Sequence, residues 1–373
     1  MKYVDEYRSA NACQRLVEEI RTSATVEWTL MEVCGGQTHG LLRHGIDQAL
    51  AGAVRLIHGP GCPVCVTPAE DLDFAVDLCK RPGITVVSFG DMLRVPGSRE
   101  SLQQARAGGG KVQFVYSPLD VLQLAEERPD EQFIFLAVGF ETTAPATALV
   151  VRQAARQGLK NLSLLVSHVR VLPAMQQLVQ NDGHGIQGFL AAGHVCTVTG
   201  YREYRDFARS LRTPVVVTGF EPFDLLSGIK RSVQLLEADR HCVCNEYERS
   251  VREDGNPSAK RLVASVFQPC DRAWRGMGVI PAGGLQLKPQ WSEFDARRRF
   301  ESQAEPLMAN SRCRSGEVLS GRIKPTACEH FGDRCTPESP LGAPMVSAEG
   351  ACAAYYQYAR VTALDTTQSP CHG

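Results

Sequence analysis

Between about residues 54 and 220 the chain repeats one unit: a short β-branched apolar run, a glycine-bearing turn, then a helix-like segment. The runs are VRLIHG (54–59), ITVVSFG (84–90), KVQFVYS (111–117), FIFLAVG (133–139), LSLLVSH (162–168), IQGFLAAG (186–193) and PVVVTG (214–219). Their apolar character is nearly continuous. A strand with one wet face alternates apolar and polar residues, whereas a strand covered on both faces does not. The pattern therefore predicts an α/β fold, with parallel strands buried between helices such as PAEDLDFAVDLCK (68–80) and MQQLVQN (175–181). Two strands end alike, AVGFETT (137–143) and VTGFEPF (217–223). This puts Glu141 and Glu221 where parallel strands deliver side chains into a crevice. Each is a candidate pocket carboxylate; capping the next helix or pairing with a nearby base is the plainer role, and both stay open.

A chain of 373 residues exceeds one ordinary core, so two or three domains are expected. A formal net charge of −1 offers no electrostatic footprint for nucleic acid or an anionic membrane surface. No apolar stretch approaches the ~18 residues of a membrane-spanning helix, and the start, MKYVDEYRSANACQRL, lacks the apolar core of a signal peptide. The expectation is a cytoplasmic protein with no nucleic-acid or membrane partner. Fourteen cysteines then need a reason, because a reducing compartment does not favour a disulfide framework. Cys13 and Cys79 lie in helix-like runs and read as small buried apolar residues. Cys371, in a polar tail, reads as incidental.

Three constellations remain. After about residue 290 the chain offers a charged helix-like stretch, DARRRFESQAEPLM, and then a Gly-, Pro- and Cys-rich region with little periodicity. Such a region often uses a metal where apolar residues cannot build a core. Cys313, Cys328, Cys335 and Cys352 give the spacing C-x14-C-x6-C-x16-C. Four thiolates suit a structural zinc or an iron–sulfur cluster; the lack of two tight Cys-x2–4-Cys knuckles favours a 4Fe-4S cluster. His330 is within ligand range in sequence and reads as a loop support. The second constellation is VCGGQTHG (33–40), where two glycines leave the backbone beside the Cys34 sulfur open, and His39 is a candidate ligand, base or orienting donor. The third is HGPGCPVC (58–65), which turns sharply after a strand and presents Cys62 and Cys65. A following helix would lower their thiol pKa. A metal knuckle would need a second pair, and the one at hand, Cys242 and Cys244, sits in HCVCNEYERSV, which reads as helix-like. A redox dithiol fits better than a metal site, with a disulfide staple as the third reading.

No G-x-x-x-x-G-K-[ST], G-x-G-x-x-G after a strand, G-x-S-x-G or H-E-x-x-H is present, so nucleotide and hydrolase chemistry lack positive support. The motifs CGGQTH, HGPGCPVC, AVGFETTAP, GHVCTVTG, NEYERSVREDGN…WRGMGVIPAGGLQL and MVSAEGACAAYY, in order from about residue 30 to 360, resemble the HypD family of [NiFe]-hydrogenase maturation proteins. The resemblance implies two parallel-sheet α/β domains and a C-terminal, irregular cysteine-rich iron–sulfur region. The expected division is 1–125, 126–290 and 291–373, with the domains free to interleave.

It further implies a scaffold on which the Fe(CN)2CO unit of the hydrogenase active site is built, serving the hydrogenase large subunit indirectly. Partners would be a HypC-type chaperone and HypE, the cyanide donor. By resemblance, Cys34 would bind the iron together with a HypC cysteine, with His39 beside it. Cys62 and Cys65 would be redox-active, and Cys313, Cys328, Cys335 and Cys352 would hold the 4Fe-4S cluster. Cys196, Cys242 and Cys244 receive no role and read as structural. A stand-alone iron–sulfur thiol–disulfide oxidoreductase is the alternative, and a zinc-bearing interaction module a third. In the first, Cys62 and Cys65 must lie between Cys34 and the cysteine quartet.

Overall fold

The structure, a computed structural model, describes residues 5–180, 183–301 and 312–365; Cys371 lies outside them. All seven runs form strands. With one earlier and three later strands the order along the chain is β1 (Trp28–Glu32), β2 (Val54–His58), β3 (Ile84–Ser88), β4 (Val112–Phe114), β5 (Gln132–Gly139), β6 (Leu162–His168), β7 (Gly188–Ala192), β8 (Val215–Thr218), β9 (Val243–Asn245), β10 (Phe267–Trp274) and β11 (Gly278–Leu287). They build two parallel sheets, β2-β1-β7-β8-β9 and β4-β3-β5-β6, and one antiparallel hairpin, β10-β11.

The continuous apolar runs have the cause expected of them. On β5, Ile134, Leu136 and Val138 enter one core while Phe133, Phe135 and Ala137 enter another on the opposite face. On β8, Val215 and Val217 pack on one side and Val216 on the other. Each fully buried side chain of this size contributes on the order of 1.5–3 kcal/mol, so both faces must be covered by helices. Helices Ala69–Cys79, Ala144–Gln157, Val171–Gln180 and Pro222–Glu237 are among those that cover them.

The second sheet is inserted in the first. β1 and β2 are separated from β7–β9 by β3–β6, so the boundary expected at 125/126 runs through the second sheet, with β3 and β4 before it and β5 and β6 after. Chain order misleads here because the polypeptide leaves the first sheet after β2 and returns at β7. The hairpin ties the two units: Trp274 is buried in the core beside the first sheet, Phe267 and Leu285 in a core of the second. Arg272 donates to the buried Asp71 carboxylate at 2.7 Å, and Arg297 reaches its other oxygen.

Three local expectations are corrected. HCVCNEYERSV is no helix: β9 pairs in parallel with β8, Val215 beside Val243 and Val216 beside Cys244. Pairing to an available sheet edge outweighs the helical tendency of its charged residues. In DARRRFESQAEPLM only Ala296–Arg299 is helical, capped by Asp295 accepting from Arg297 N at 2.9 Å; Phe300 is extended, and residues 302–308 lie outside the described residues. The C-terminal region is also less irregular than expected, since it ends in the helix Ala351–Asp365, which carries Cys352. The alanines of ACAAYYQYA favour that helix.

Candidate functional site

In the first sheet the connection from β1 to β2 runs one way and that from β7 to β8 the other. β1 and β7 are neighbours, so the switch point of the sheet lies between their carboxyl ends, where parallel sheets open a crevice. CGGQTH follows β1, GPGCPVC follows β2, GHVC follows β7 and GFEPF follows β8. Four of the quoted motifs thus meet at one edge.

Cys34 is extended at the start of helix Gly35–Arg43 and only 4% exposed. Its Sγ lies 3.7 Å from His194 Nδ1. The Phe220 ring flanks the same space: it stacks at a tilt on His194 and would meet a Cβ at Gly36 at 3.2 Å. Burial pushes the Cys34 thiol up to about 12, and burial also lowers His194. A neutral imidazole next to a protonated thiol can accept its hydrogen bond, or in the other tautomer donate to sulfur once the proton has gone.

The backbone of Cys34 is held from beneath. Glu32, wholly buried, accepts from Cys34 N at 2.8 Å and, on its other oxygen, from Thr38 and from His58 Nδ1 at 2.7 Å. His58 Nε2 meets the Tyr355 hydroxyl at 2.9 Å. An acidic side chain inside the fold therefore has each oxygen satisfied, which is the condition for burying it.

Cys62 and Cys65 are joined as a disulfide and are 2% and 0% exposed. Cys62 caps the short helix Pro63–Val66, its Sγ accepting from Cys65 N at 3.2 Å. Pro68 separates this turn from helix Ala69–Cys79, so the long helix expected to act on the two sulfurs begins beyond them. The two loops touch through their backbones: Gly35 N donates to Gly61 O at 3.1 Å, and a Cβ at Gly61 would fall 2.3 Å from Cys34 N. Glycine at 61 is thus required by the close approach of Cys34.

His39 does not face the Cys34 sulfur through a hydrogen bond of its own. Its Nε2 meets the Ala348 carbonyl and its Nδ1 the Tyr358 hydroxyl at 3.3 Å. The sequence reading gave the neighbouring role to His39, the nearer residue in the chain. His194 occupies that place, and the signal that could have found it was GHVC, quoted without a role for its histidine.

Cys313, Cys328, Cys335 and Cys352 share one neighbourhood. Burial and then the negative charge of each of the other three thiolates push Cys352 far up; Cys313 and Cys328 act in the same direction on Cys335. Leu341 N donates to Cys335 Sγ at 3.4 Å, and Gly342 lies hard against Cys313 Sγ. The donor set, four soft thiols of which Cys335 and Cys352 are held protonated by burial and by their neighbours' charge, fits a group that needs four thiolates and supplies positive charge. Among the described residues no group of three or more His, Cys, Asp or Glu side chains is already arranged as a metal-ligand set. His330 has Glu329 at 3.6 Å.

The loop of the disulfide touches elements next to Cys34 and next to the four-cysteine region. Helix Ala343–Val346, directly after Gly342, packs with Val64 in one core. Arg275 donates from its backbone to Val66 O at 2.8 Å and from Nε to Thr67 O at 2.9 Å, and feels the charge of Cys313. Arg275, Glu70, Trp274 and Cys313 are among the residues lining a cavity of about 620 Å³. Glu221 takes the plainer of its two roles: it pairs with Arg8 at 2.5 Å and stands at the start of helix Pro222–Glu237. Glu141 is different, with one oxygen accepting from Val171 N at 3.0 Å and the other buried without a partner among the described residues.

The HypD family, described as "Hydrogenase formation hypA family", matches residues 11–359. A relative called hydrogenase maturation factor HypD in Azotobacter vinelandii is 44% identical over 369 residues, covering 96% of this chain and 97% of the relative. The protein of that name in Escherichia coli K12 is 43% identical over 368 residues, covering 96% and 98%. That of Cupriavidus necator is 41% identical over 370 residues, again covering 96% and 98%. With this match over nearly its whole length, the chain belongs to the HypD family of hydrogenase maturation factors.

Proposed function

We propose that the chain is the scaffold and redox partner on which an iron atom receives its cyanide and carbonyl ligands during hydrogenase maturation. One observation carries the reading: the CGGQTH and GPGCPVC loops are in backbone contact at the switch point, through the Gly35–Gly61 hydrogen bond of 3.1 Å. The iron is cargo. Cys34 and a cysteine of a HypC-type chaperone would share it, and a site completed by two proteins is one that can be released. Buried beside Phe220 and His194, the Cys34 sulfur is kept from bulk water, and Glu32 fixes its backbone.

HypE would bring cyanide as a thiocyanate on one of its cysteines. Cleaving that S–C bond takes two electrons. In the reduced form Cys62 and Cys65 provide them: the two thiols become a disulfide, one proton goes to the departing sulfur of the donor and the other to cyanide. The bonded pair is the oxidised half of that cycle. Cys313, Cys328, Cys335 and Cys352 would hold a 4Fe-4S cluster, which supplies electrons one at a time.

The test is infrared spectroscopy of the chain co-purified anaerobically with a HypC-type chaperone. Cys34→Ala should abolish the cyanide and carbonyl bands and keep the visible absorption of the cluster; Cys352→Ser should lose that absorption. Bands that persist in Cys34→Ala refute the role given to Cys34, and a colourless, zinc-containing wild type refutes the cluster.

A further inference from the structure

One pair of cysteines has no part in this scheme. Cys242 and Cys244 are free and half-buried at β9, which among the described residues is an edge strand paired with β8. Residues two apart on a strand share a face, and both cysteines pack on one core together with residues of helix Pro222–Glu237. Arg231, from helix Pro222–Glu237, donates its Nε–H to Cys244 Sγ at 3.3 Å. Cys242 has no such donor, and its thiol is raised by burial and by the charge of Cys244. The two sulfurs are thus unequally placed: Cys244 carries a guanidinium donor, and Cys242 stands beside it without one among the described residues.

A cation against one sulfur disfavours a second cation between the two, which argues against a metal site. The same arrangement suits a reactive thiol with a partner: partial exposure, a neighbouring arginine and an adjacent second sulfur. We propose that Cys242 and Cys244 form a second thiol–disulfide couple, oxidised by hydroperoxides, with Cys244 as the attacking sulfur and Cys242 as the resolving thiol. In the first step Cys244 sulfur attacks the terminal peroxide oxygen. An S–O bond forms, the O–O bond breaks, and the alcohol or water leaves with a proton. In the second, Cys242 sulfur attacks Cys244 sulfur; the S–S bond forms, the S–O bond breaks, and the hydroxyl leaves as water with the Cys242 proton. Two thiols give up two electrons and the peroxide takes them. Because Cys242 precedes the first residue of β9, the bend needed to join the sulfurs falls at the strand's end.

The test uses the reduced full chain and one equivalent of hydrogen peroxide, followed by alkylation and tryptic mapping. The peptide between Arg240 and Arg249 contains both cysteines and no others. It should lose the mass of two hydrogens and escape alkylation roughly tenfold faster than Cys79, which is 1% exposed, is modified. Arg231→Gln should slow this several-fold. In Cys242→Ser the reaction should stop at a sulfenic acid on Cys244, captured by dimedone. A peptide alkylated at both sulfurs after peroxide treatment overturns the proposal. So does dimedone absent from Cys244 in Cys242→Ser, or a disulfide from Cys244 to Cys13, which packs on the same core.

Discussion

Glu141 provides the sharpest quantitative expectation, because its two oxygens are treated so differently. It follows β5; one oxygen accepts from Val171 N at 3.0 Å and the other is enclosed without a partner among the described residues. Burial raises the carboxyl from 4.5 to about 7; Arg170 opposes this weakly and Glu203 adds to it. The buried Cys196 and Tyr204 both feel the Glu141 charge, and both are themselves raised by burial, so no cation compensates it from that side. The folded value lies above the unfolded one, so between them the folded chain binds more protons. Stability is then complete below about pH 4.5 and falls as pH rises through about 7. At about 1.4 kcal/mol per pH unit the gap amounts to about 3 kcal/mol at most. Because the residue as a whole is only half-buried, about 1–3 kcal/mol is the expectation.

Glu141→Gln keeps the acceptor for Val171 N and leaves a neutral group in the enclosed position, as the protonated acid does. It should match the wild type near pH 5. At pH 8 it should exceed it by about 1–3 kcal/mol, a shift in Tm on the order of 2–6 °C. Thermal unfolding at both pH values reads the difference. A gap between the two proteins that is the same at pH 5 and pH 8 would refute the assignment of an enclosed, uncompensated carboxyl.

Two further substitutions test the architecture of the site. Gly61→Ala would drive a methyl to within 2.3 Å of Cys34 N, a backbone atom that cannot turn aside; the expected cost is about 2–4 kcal/mol. Gly90→Ala, which meets nothing within 4 Å, should stay within about 0.5 kcal/mol, and equal melting temperatures for the two variants would contradict the loop contact. Tyr355→Phe removes the hydroxyl 2.9 Å from His58 Nε2 and leaves a buried ring nitrogen unpaired, costing about 1–3 kcal/mol in thermal unfolding. An unchanged Tm would show that His58 finds another partner.

Much of the fold was legible because burial on both faces writes itself into the sequence as continuous apolar runs. β1 was missed for the opposite reason: WTLME ends in a glutamate that is buried only because Cys34 N, Thr38 and His58 satisfy it. β9 was missed because a three-residue strand carries too little pattern to outweigh charged neighbours. Local motifs singled out Cys34, Cys62, Cys65 and the quartet as candidates, but could not say who stands beside whom. His194 lies 160 residues from Cys34 in the chain and one strand away in the sheet. No local spacing encodes that; only the order β2-β1-β7-β8 does. The interleaved sheets follow from the same limit, since a chain that departs and returns leaves no mark at the point of departure.

The helix Ala351–Asp365 links the Cys34 loop and the four-cysteine region through one element. On a helix, residues three and four apart share a side. Tyr355 and Tyr358, three apart, meet His58 at the end of β2 and His39 in helix Gly35–Arg43. Cys352 and Tyr356, four apart, face the cysteine loop, where Tyr356 packs edge-on against Phe331 and Cys352 joins Cys313, Cys328 and Cys335. The segment just before it is gripped from both units: Arg94 donates to Val346 O at 2.9 Å, Ser347 to Asp91 at 3.1 Å, and Gly35 lies against the Glu349 carbonyl. Any change in how the four thiols are held therefore reaches the CGGQTH loop through a rigid element rather than through a flexible tail. That coupling demands that a variant disturbing the quartet, such as Cys352→Ser, also alter the surroundings of Cys34, while Cys34→Ala can leave the quartet intact, because the helix is anchored at Cys34 by its neighbours His39 and Gly35 and not by the sulfur itself.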